Sequence, residues 1–252
     1  MIQLSHLACG YDRKTILANL NITFEAGSFS ALVGPNGCGK STLLRTLAGL
    51  QPALSGQITI SNKASEKYSR RQLAQTLSFV QQKVPADLDF TAFETALMGR
   101  NPYQRRLQNE SQADLDIVEQ SMRKTHCWEL RDSRFSQLSG GEQQRVMIAR
   151  ALAQQTPVML LDEPIANLDI AHQFEILQLL SDLNQSQHST ILLVIHDLNL
   201  AYQYCRQILI LHQGSAVYQG PIEQGLTPQC IREVFGVSAT LKEQSLQLSA
   251  LR

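Results

Sequence analysis

The chain has no surplus of either charge: 22 lysines and arginines stand against 22 aspartates and glutamates, a formal net charge of +0. A protein that grips nucleic acid through its phosphates usually carries a basic excess, so no nucleic-acid partner is expected. Long apolar runs are missing too, and none approaches the ~20 residues of a membrane span. The longest candidates, PVMLLDEP and TILLVIHD, are short, rich in branched aliphatics and end in charge, the pattern of buried strands. The opening MIQLSHLACGYDRKT lacks the basic start and apolar stretch of a secretory signal, so synthesis and retention in the cytosol are expected. Cysteine is scarce and odd in number. Cys9, Cys38, Cys127, Cys205 and Cys230 form no C-x-x-C pair, which argues for reduced thiols and against a disulfide framework or a zinc site. No internal repeat or low-complexity tract stands out.

What is present is an ordinary globular composition, 252 residues with 43% hydrophobic and 17% charged, ample for a sizeable core. The first segments, IQLSHLACGYD, LANLNITFEAG and FSALVG, predict short strands of a small sheet. Leu43, Leu44, Leu47 and Leu50 recur at helical spacing, LSGQITIS predicts a turn and strand, and Leu77 to Val80 another strand. From about Pro85 to Gln155 no clear strand appears. FTAFETALMG, ESQADLDIVEQSMRKT and GGEQQRVMIARALAQQ have helical periodicity and predict a mostly helical insertion over 85–155. Strands then return in VMLLD, TILLVIHD and QILILHQG, with helices over DIAHQFEILQLLSDLNQ and LNLAYQYC between them. Such alternation implies an α/β fold with a parallel sheet and ligands at the strands' carboxyl ends. The tail TLKEQSLQLSALR is polar and uninformative.

The chemistry begins at GPNGCGKST, Gly34 to Thr42, which fits G-x-x-x-x-G-K-[ST] in full, with a strand Phe29 to Val33 before it and a leucine-patterned helix after. The run Gly34, Pro35, Asn36, Gly37, Cys38, Gly39 lets backbone N–H groups wrap phosphates, Lys40 reaches the β and γ phosphates, and Ser41, beside Thr42, offers a hydroxyl to Mg2+. Cys38 serves as a small residue in the loop, where a thiol would make the site sensitive to alkylation. VMLLDEP delivers Asp162 and Glu163 at a strand's carboxyl end: Asp162 for Mg2+, Glu163 to orient and polarise the attacking water as general base. LLVIHD puts His196 at another strand end, within reach of a γ-phosphate. SFVQQ places Gln81 and Gln82 similarly, and one of these amides contacts Mg2+ and the water. A second anion-holding turn, LSGGEQQR, has Ser139, Gly140 and Gly141 at the start of a helix but no lysine.

In this order, GPNGCGKST, LSGGEQQR, VMLLDEP, ANLD (Ala166 to Asp169) and the switch His196, the chain resembles the ABC ATPases over nearly its whole length. The resemblance implies a P-loop NTPase with a RecA-like parallel-sheet core, a small N-terminal antiparallel β region and an inserted α-helical subdomain. The β region and core would occupy 1–84 and 156–252 of a single domain. Tyr11 of CGYD would stack on adenine, Gln82 rather than Gln81 would be the Q-loop residue, and Asp169 would belong to the D-loop. Two subunits would pair head to tail, so that Ser139, Gly140 and Gly141 of one cap the ATP γ-phosphate held by the other. Ile165 stands where many relatives carry threonine, with little loss expected.

A transport role would require a separate integral-membrane permease docked on the helical insertion, at the cytoplasmic face of the membrane, and indirectly a substrate-binding protein. ALMGRNPY, LDIAHQ, VIHDLNLAYQYC and VFGV are similar to the ATPases of importers for iron chelates, haem and vitamin B12, with a ferric siderophore foremost. Read by itself, GRNPYQRR is a solvated, arginine-bearing turn. A soluble ABC ATPase of repair or translation predicts coiled-coil insertions or two fused cassettes and a basic surface. A nucleotide-dependent interaction protein predicts loss of Glu163 or His196. The chain has one cassette, balanced charge and both residues.

Overall fold

A computed structural model describes residues 1–11, 14–82, 89–104, 110–242 and 245–250, with backbone alone from residue 241 onward. The expected boundary of the helical insertion, at 84 and 85, falls outside the described residues. The chain divides into two compact units, Met1–Lys67 with Ser181–Arg252, and Tyr68–Leu180.

In chain order the first unit opens with β1 (Ile2–Tyr11), β2 (Lys14–Phe24), β3 (Phe29–Val33), α1 (Lys40–Leu47), β4 (Ser55–Ile60) and β5 (Lys63–Ala64). The second holds α2 (Arg70–Thr76), β6 (Leu77–Val80), α3 (Ala92–Leu97), α4 (Gln112–Lys124), α5 (Gly140–Ala153), β7 (Val158–Asp162) and most of α6 (Ile170–Gln187). The first unit resumes with β8 (Thr190–Val194), α7 (Leu198–Tyr204), β9 (Gln207–His212), β10 (Ser215–Pro221), α8 (Ile222–Gly225), α9 (Pro228–Phe235), β11 (Val237–Lys242) and β12 (Ser245–Ala250).

Strands buried on both faces read as continuous apolar runs rather than alternations. FSALV in β3 and TILLV in β8 are buried at every position, and in the first unit β3 lies between β8 and β9, parallel to both. FSALVG therefore belongs to the parallel sheet, not to the small N-terminal sheet expected from its neighbours. That smaller sheet is antiparallel, in the order β2-β1-β4-β5, and its strands β1 and β2 are long, 10 and 11 residues, rather than short. β10 pairs antiparallel on the outer side of β9. In the second unit β6 and β7 are parallel, with Val80 opposite Leu161.

One further expectation is corrected. The leucine helix after the phosphate loop stops at Leu47: the N–H of Gly49 turns back to the carbonyl of Thr46, and Leu50 lies beyond the helix, 62% exposed. The polar tail forms the antiparallel hairpin β11–β12, paired from Val237–Ala250 to Lys242–Ser245.

Among the described residues between 92 and 153 the regular elements are helices, with α3 and α4 both packed on α5. Phe135, Val118, Met122, Val146 and Ile148 are fully buried among them. Far from being a solvated turn, the start of GRNPYQRR is a clamp. Arg100 is 7% exposed; its Nε donates to Asp114 Oδ1 at 2.8 Å and its Nη1 to the carbonyl of Ala153 at 2.8 Å, near the end of α5. The same guanidinium lies 4.2 Å from the Tyr103 ring centroid, and the Tyr103 hydroxyl donates to Gln154 O. Gln154 Nε2 in turn donates to the carbonyls of Ala74 and Leu77, tying the end of α5 to the start of β6. Residues 105–109 lie outside the described structure.

Removing one member of a buried ion pair leaves the other desolvated and unpaired, which costs several kcal/mol. Arg100→Ala should therefore lower unfolding free energy by about 3 kcal/mol, measured by urea unfolding at neutral pH. A loss under about 1 kcal/mol, the value of an exposed pair, would show that Arg100 is not the clamp.

Candidate active site

In the first unit, β3 runs directly into the phosphate loop. Gly34 has φ 149°, and a Cβ there would stand 2.2 Å from the carbonyl oxygen of Leu211 on β9. Gly39, at φ 107°, caps α1, and its Cβ would meet the Leu17 side chain at 2.7 Å. Both positions thus exclude any side chain, for steric and conformational reasons together. Lys40 is buried, and its ammonium donates to the carbonyls of Gly34 at 2.7 Å and Pro35 at 3.0 Å, lacing the loop into a closed turn at the N-terminal end of α1. Free N–H groups and the positive end of a helix make such a turn attractive to anions. Asn36 and Gly37 are exposed on it and Ser41 is half-buried.

The Thr42 hydroxyl donates to Tyr11 Oη at 3.5 Å, so the half-exposed Tyr11 ring ends β1 beside the loop. Cys38 is buried with Sγ 4.0 Å from Lys40 Nζ. Burial pushes this thiol up and outweighs the opposing pull of the lysine. His196 follows β8 by two residues and is exposed; Asp197 next to it caps α7 by accepting from Asn199 N and Leu200 N.

In the second unit, the parallel register of β6 and β7 sends Gln82 and Glu163 out side by side. Gln82 Nε2 donates to Glu163 Oε2 at 2.6 Å. Asp162 closes β7 and is 1% exposed, whereas Glu163 turns into the left-handed region at φ 52°, unusual for a residue with a Cβ. That turn separates two adjacent carboxylates into one buried and one half-exposed.

Ser139 is the N-cap of α5. Its hydroxyl accepts from Glu142 N, while Glu142 Oε2 accepts from Ser139 N at 2.8 Å and from its hydroxyl at 2.7 Å, a reciprocal capping box. These bonds hold the Glu142 carboxyl below the ordinary range, the Ser139 hydroxyl contributing most. Gly141 approaches the Asn167 carbonyl so closely that a Cβ would lie 3.1 Å from it. Gly140 is different: a Cβ there would meet nothing within 4 Å. Asp169 accepts from the backbone N–H of His172 at 2.9 Å and from its ring Nδ1 at 2.8 Å, which lowers its pKa.

A family model described as "ABC transporter" matches residues 17–166, more than half of the chain. The chain belongs to the ABC transporter family. It is 37% identical to the iron(3+)-hydroxamate import ATP-binding protein FhuC of Bacillus subtilis, over 95% of this chain and 89% of that protein. It is also 37% identical to the ferric enterobactin transport ATP-binding protein FepC of Escherichia coli, over 92% and 85%. To the hemin import ATP-binding protein HmuV of Bordetella avium it is 36% identical, over 94% and 93%. Among solved structures, an ABC transporter in an inward-facing conformation superposes with a TM-score of 0.82, at 27% identity over 98% of this chain and 95% of that one. A dimeric ATP-binding cassette bound to ADP and Pi gives 0.78, at 28% identity over 88% and 99%.

Two features of this ABC ATPase escaped the sequence reading. Glu142 was legible, since S-x-x-E from Ser139 is a capping-box pattern. The contact of Arg145, last residue of LSGGEQQR, with His172 of LDIAHQ was not, because nothing in the spacing of two distant polar residues announces a bond.

Loss of a helix cap costs about 1 kcal/mol, and Glu142→Ala should destabilise the chain by that amount at neutral pH. A carboxylate with a depressed folded pKa stabilises above its unfolded pKa and loses that contribution as pH falls through the folded value. The difference between wild type and variant in urea unfolding should therefore shrink below about pH 4. An undiminished difference in acid would contradict the capping role.

Proposed function

We propose that this chain is the ATPase subunit of an importer for an iron chelate, with a ferric siderophore foremost and haem or cobalamin behind it. The support for that cargo is likeness over nearly full length to proteins named for ferric hydroxamate, ferric enterobactin and hemin import. Among the described residues no helix is long and apolar enough to cross a membrane. By the same likeness the chain would work on the cytoplasmic face of the membrane with permease subunits, and the expected helical insertion would receive them. A substrate-binding protein would deliver the cargo.

The observation that carries the hydrolytic reading is the Gln82–Glu163 hydrogen bond, which fixes a half-exposed carboxylate at a strand end. Glu163 would take the proton of the attacking water as its oxygen bonds to the γ-phosphorus and the bond to ADP breaks. The loop Gly34, Pro35, Asn36, Gly37, Cys38, Gly39 and Thr42 would wrap the phosphates, with Lys40 exchanging its carbonyl partners for phosphate oxygens. Tyr11 would stack on adenine and His196 would contact the γ-phosphate. The Ser41 hydroxyl, the Gln82 amide oxygen and the buried Asp162 carboxylate are hard oxygen donors of the kind Mg2+ takes. When bound, Mg2+ would neutralise charge on the β and γ phosphates.

Ser139, Gly140 and Gly141 would cap the γ-phosphate of a second, head-to-tail subunit, beside Asp169. The open space at Gly140 supports this: among the described residues nothing of its own chain crowds a Cβ there, so the requirement would come from outside.

Two variants test the reading. Glu163→Gln should reduce ATP turnover at least ~100-fold and leave an ATP-bound dimer that gel filtration resolves; turnover at the wild-type rate would remove Glu163 as the base. Gly140→Ala should keep or raise the unfolding free energy by up to about 1 kcal/mol, yet depress turnover, whereas Gly34→Ala should damage both. A fully active Gly140→Ala would contradict a partner's close approach.

A further inference from the structure

The end of the signature stretch and the start of α6 meet in an arrangement that the reading above leaves unused. Arg145 lies on α5, one and a half turns from Ser139, and its guanidinium Nη1 is hydrogen-bonded to His172 Nε2. The opposite ring nitrogen of His172, Nδ1, lies 2.8 Å from both carboxylate oxygens of Asp169. Arginine can only donate, and a carboxylate can only accept. The two contacts are therefore satisfied together by one state of the imidazole: neutral, with the proton on Nδ1 toward Asp169 and a lone pair on Nε2 toward Arg145. Arg145 is otherwise poorly served, since its buried Nε has no partner among the described residues. Among the described residues a further charged group near the ring is Glu175, 4.0 Å from Nε2 and itself 3.9 Å from His126, which follows α4.

We infer that His172 is a positioning residue that locks the D-loop carboxylate of Asp169 to the signature helix through Arg145, so that the two segments meet an ATP-bearing partner as one rigid surface. The inference rests on the head-to-tail reading of Ser139–Gly141. The close backbone approach of Gly141 to Asn167 is a second tie between the same two segments, and it makes the side-chain bridge one of alignment rather than attachment. A glutamine, whose amide both donates and accepts, can keep both links.

The test is ATP-driven dimerisation in a Glu163→Gln background, followed by gel filtration across ATP concentrations, with binding of a fluorescent ATP analogue and thermal unfolding measured on the same proteins. His172→Ala and Arg145→Ala should each weaken dimerisation about tenfold, the scale of one hydrogen bond to a charged group. The double variant should be no worse than either single one. Nucleotide binding and the unfolding midpoint should stay at the parent's values, and His172→Gln should dimerise like the parent. Losses that add in the double variant, a glutamine as poor as alanine, or weakening that follows a fall in the unfolding midpoint would each overturn the bridge. Failure of the Glu163→Gln parent itself to dimerise with ATP would instead strike the head-to-tail reading, and the inference with it.

Discussion

A parallel strand buried on both faces can carry chemistry only at its ends. That constraint organises this ATPase. β3 is apolar and buried to Val33, then releases the phosphate loop at Gly34. β7 is buried to Asp162 and then turns at Glu163. β8 is buried to Val194 and is followed by His196. β6 ends at Val80 and Gln82 comes next but one. In each unit the apolar runs that bury these strands are thus the same runs that fix where the polar residues at their ends stand, to within a residue or two. The Gln82–Glu163 bond is a direct product of the β6–β7 register.

Glycine does two kinds of work in the chain. At Gly34 and Gly39 the reason is internal: positive φ, and neighbouring backbone or side chain where a Cβ would be. At Gly140, among the described residues, no atom beyond the glycine's own helix turn would lie within 4 Å of a Cβ. A glycine in the first turn of a helix lowers its stability relative to alanine, so its use at an open position points to something that must approach from outside. The capping box of Ser139 and Glu142 compensates locally, holding the helix start in place without a side chain at Gly140. Arg100 and Gln154 hold the other end of the same helix to α4 and β6.

Much of this was legible because it is periodic or local. Phe29–Val33, Leu77–Val80 and Val158–Asp162 are strands with the bounds that their apolar runs imply. The phosphate loop could be read from glycine spacing because a tight turn around an anion leaves few alternatives. What stayed hidden depends on distant partners. Arg100 looks solvated in sequence and becomes buried only because Asp114 and the end of α5 meet it. Leu50 keeps the helical phase of its neighbours, yet the helix has ended before it. The hairpin β11–β12 carries little apolar signal. The pairing of Arg145 with His172 joins two segments whose spacing says nothing of contact.

In the proposed arrangement the nucleotide site is shared between two copies of the chain, each supplying Lys40 to one site and Ser139 to the other. Turnover in a mixture of Lys40→Ala and Ser139→Arg subunits tests it most directly. In a mixed dimer one site then has both defects and the other has neither, so ATP hydrolysis should reappear on mixing two preparations that are each inactive alone. A mixture that forms dimers but hydrolyses no more ATP than its separate components would contradict a shared site.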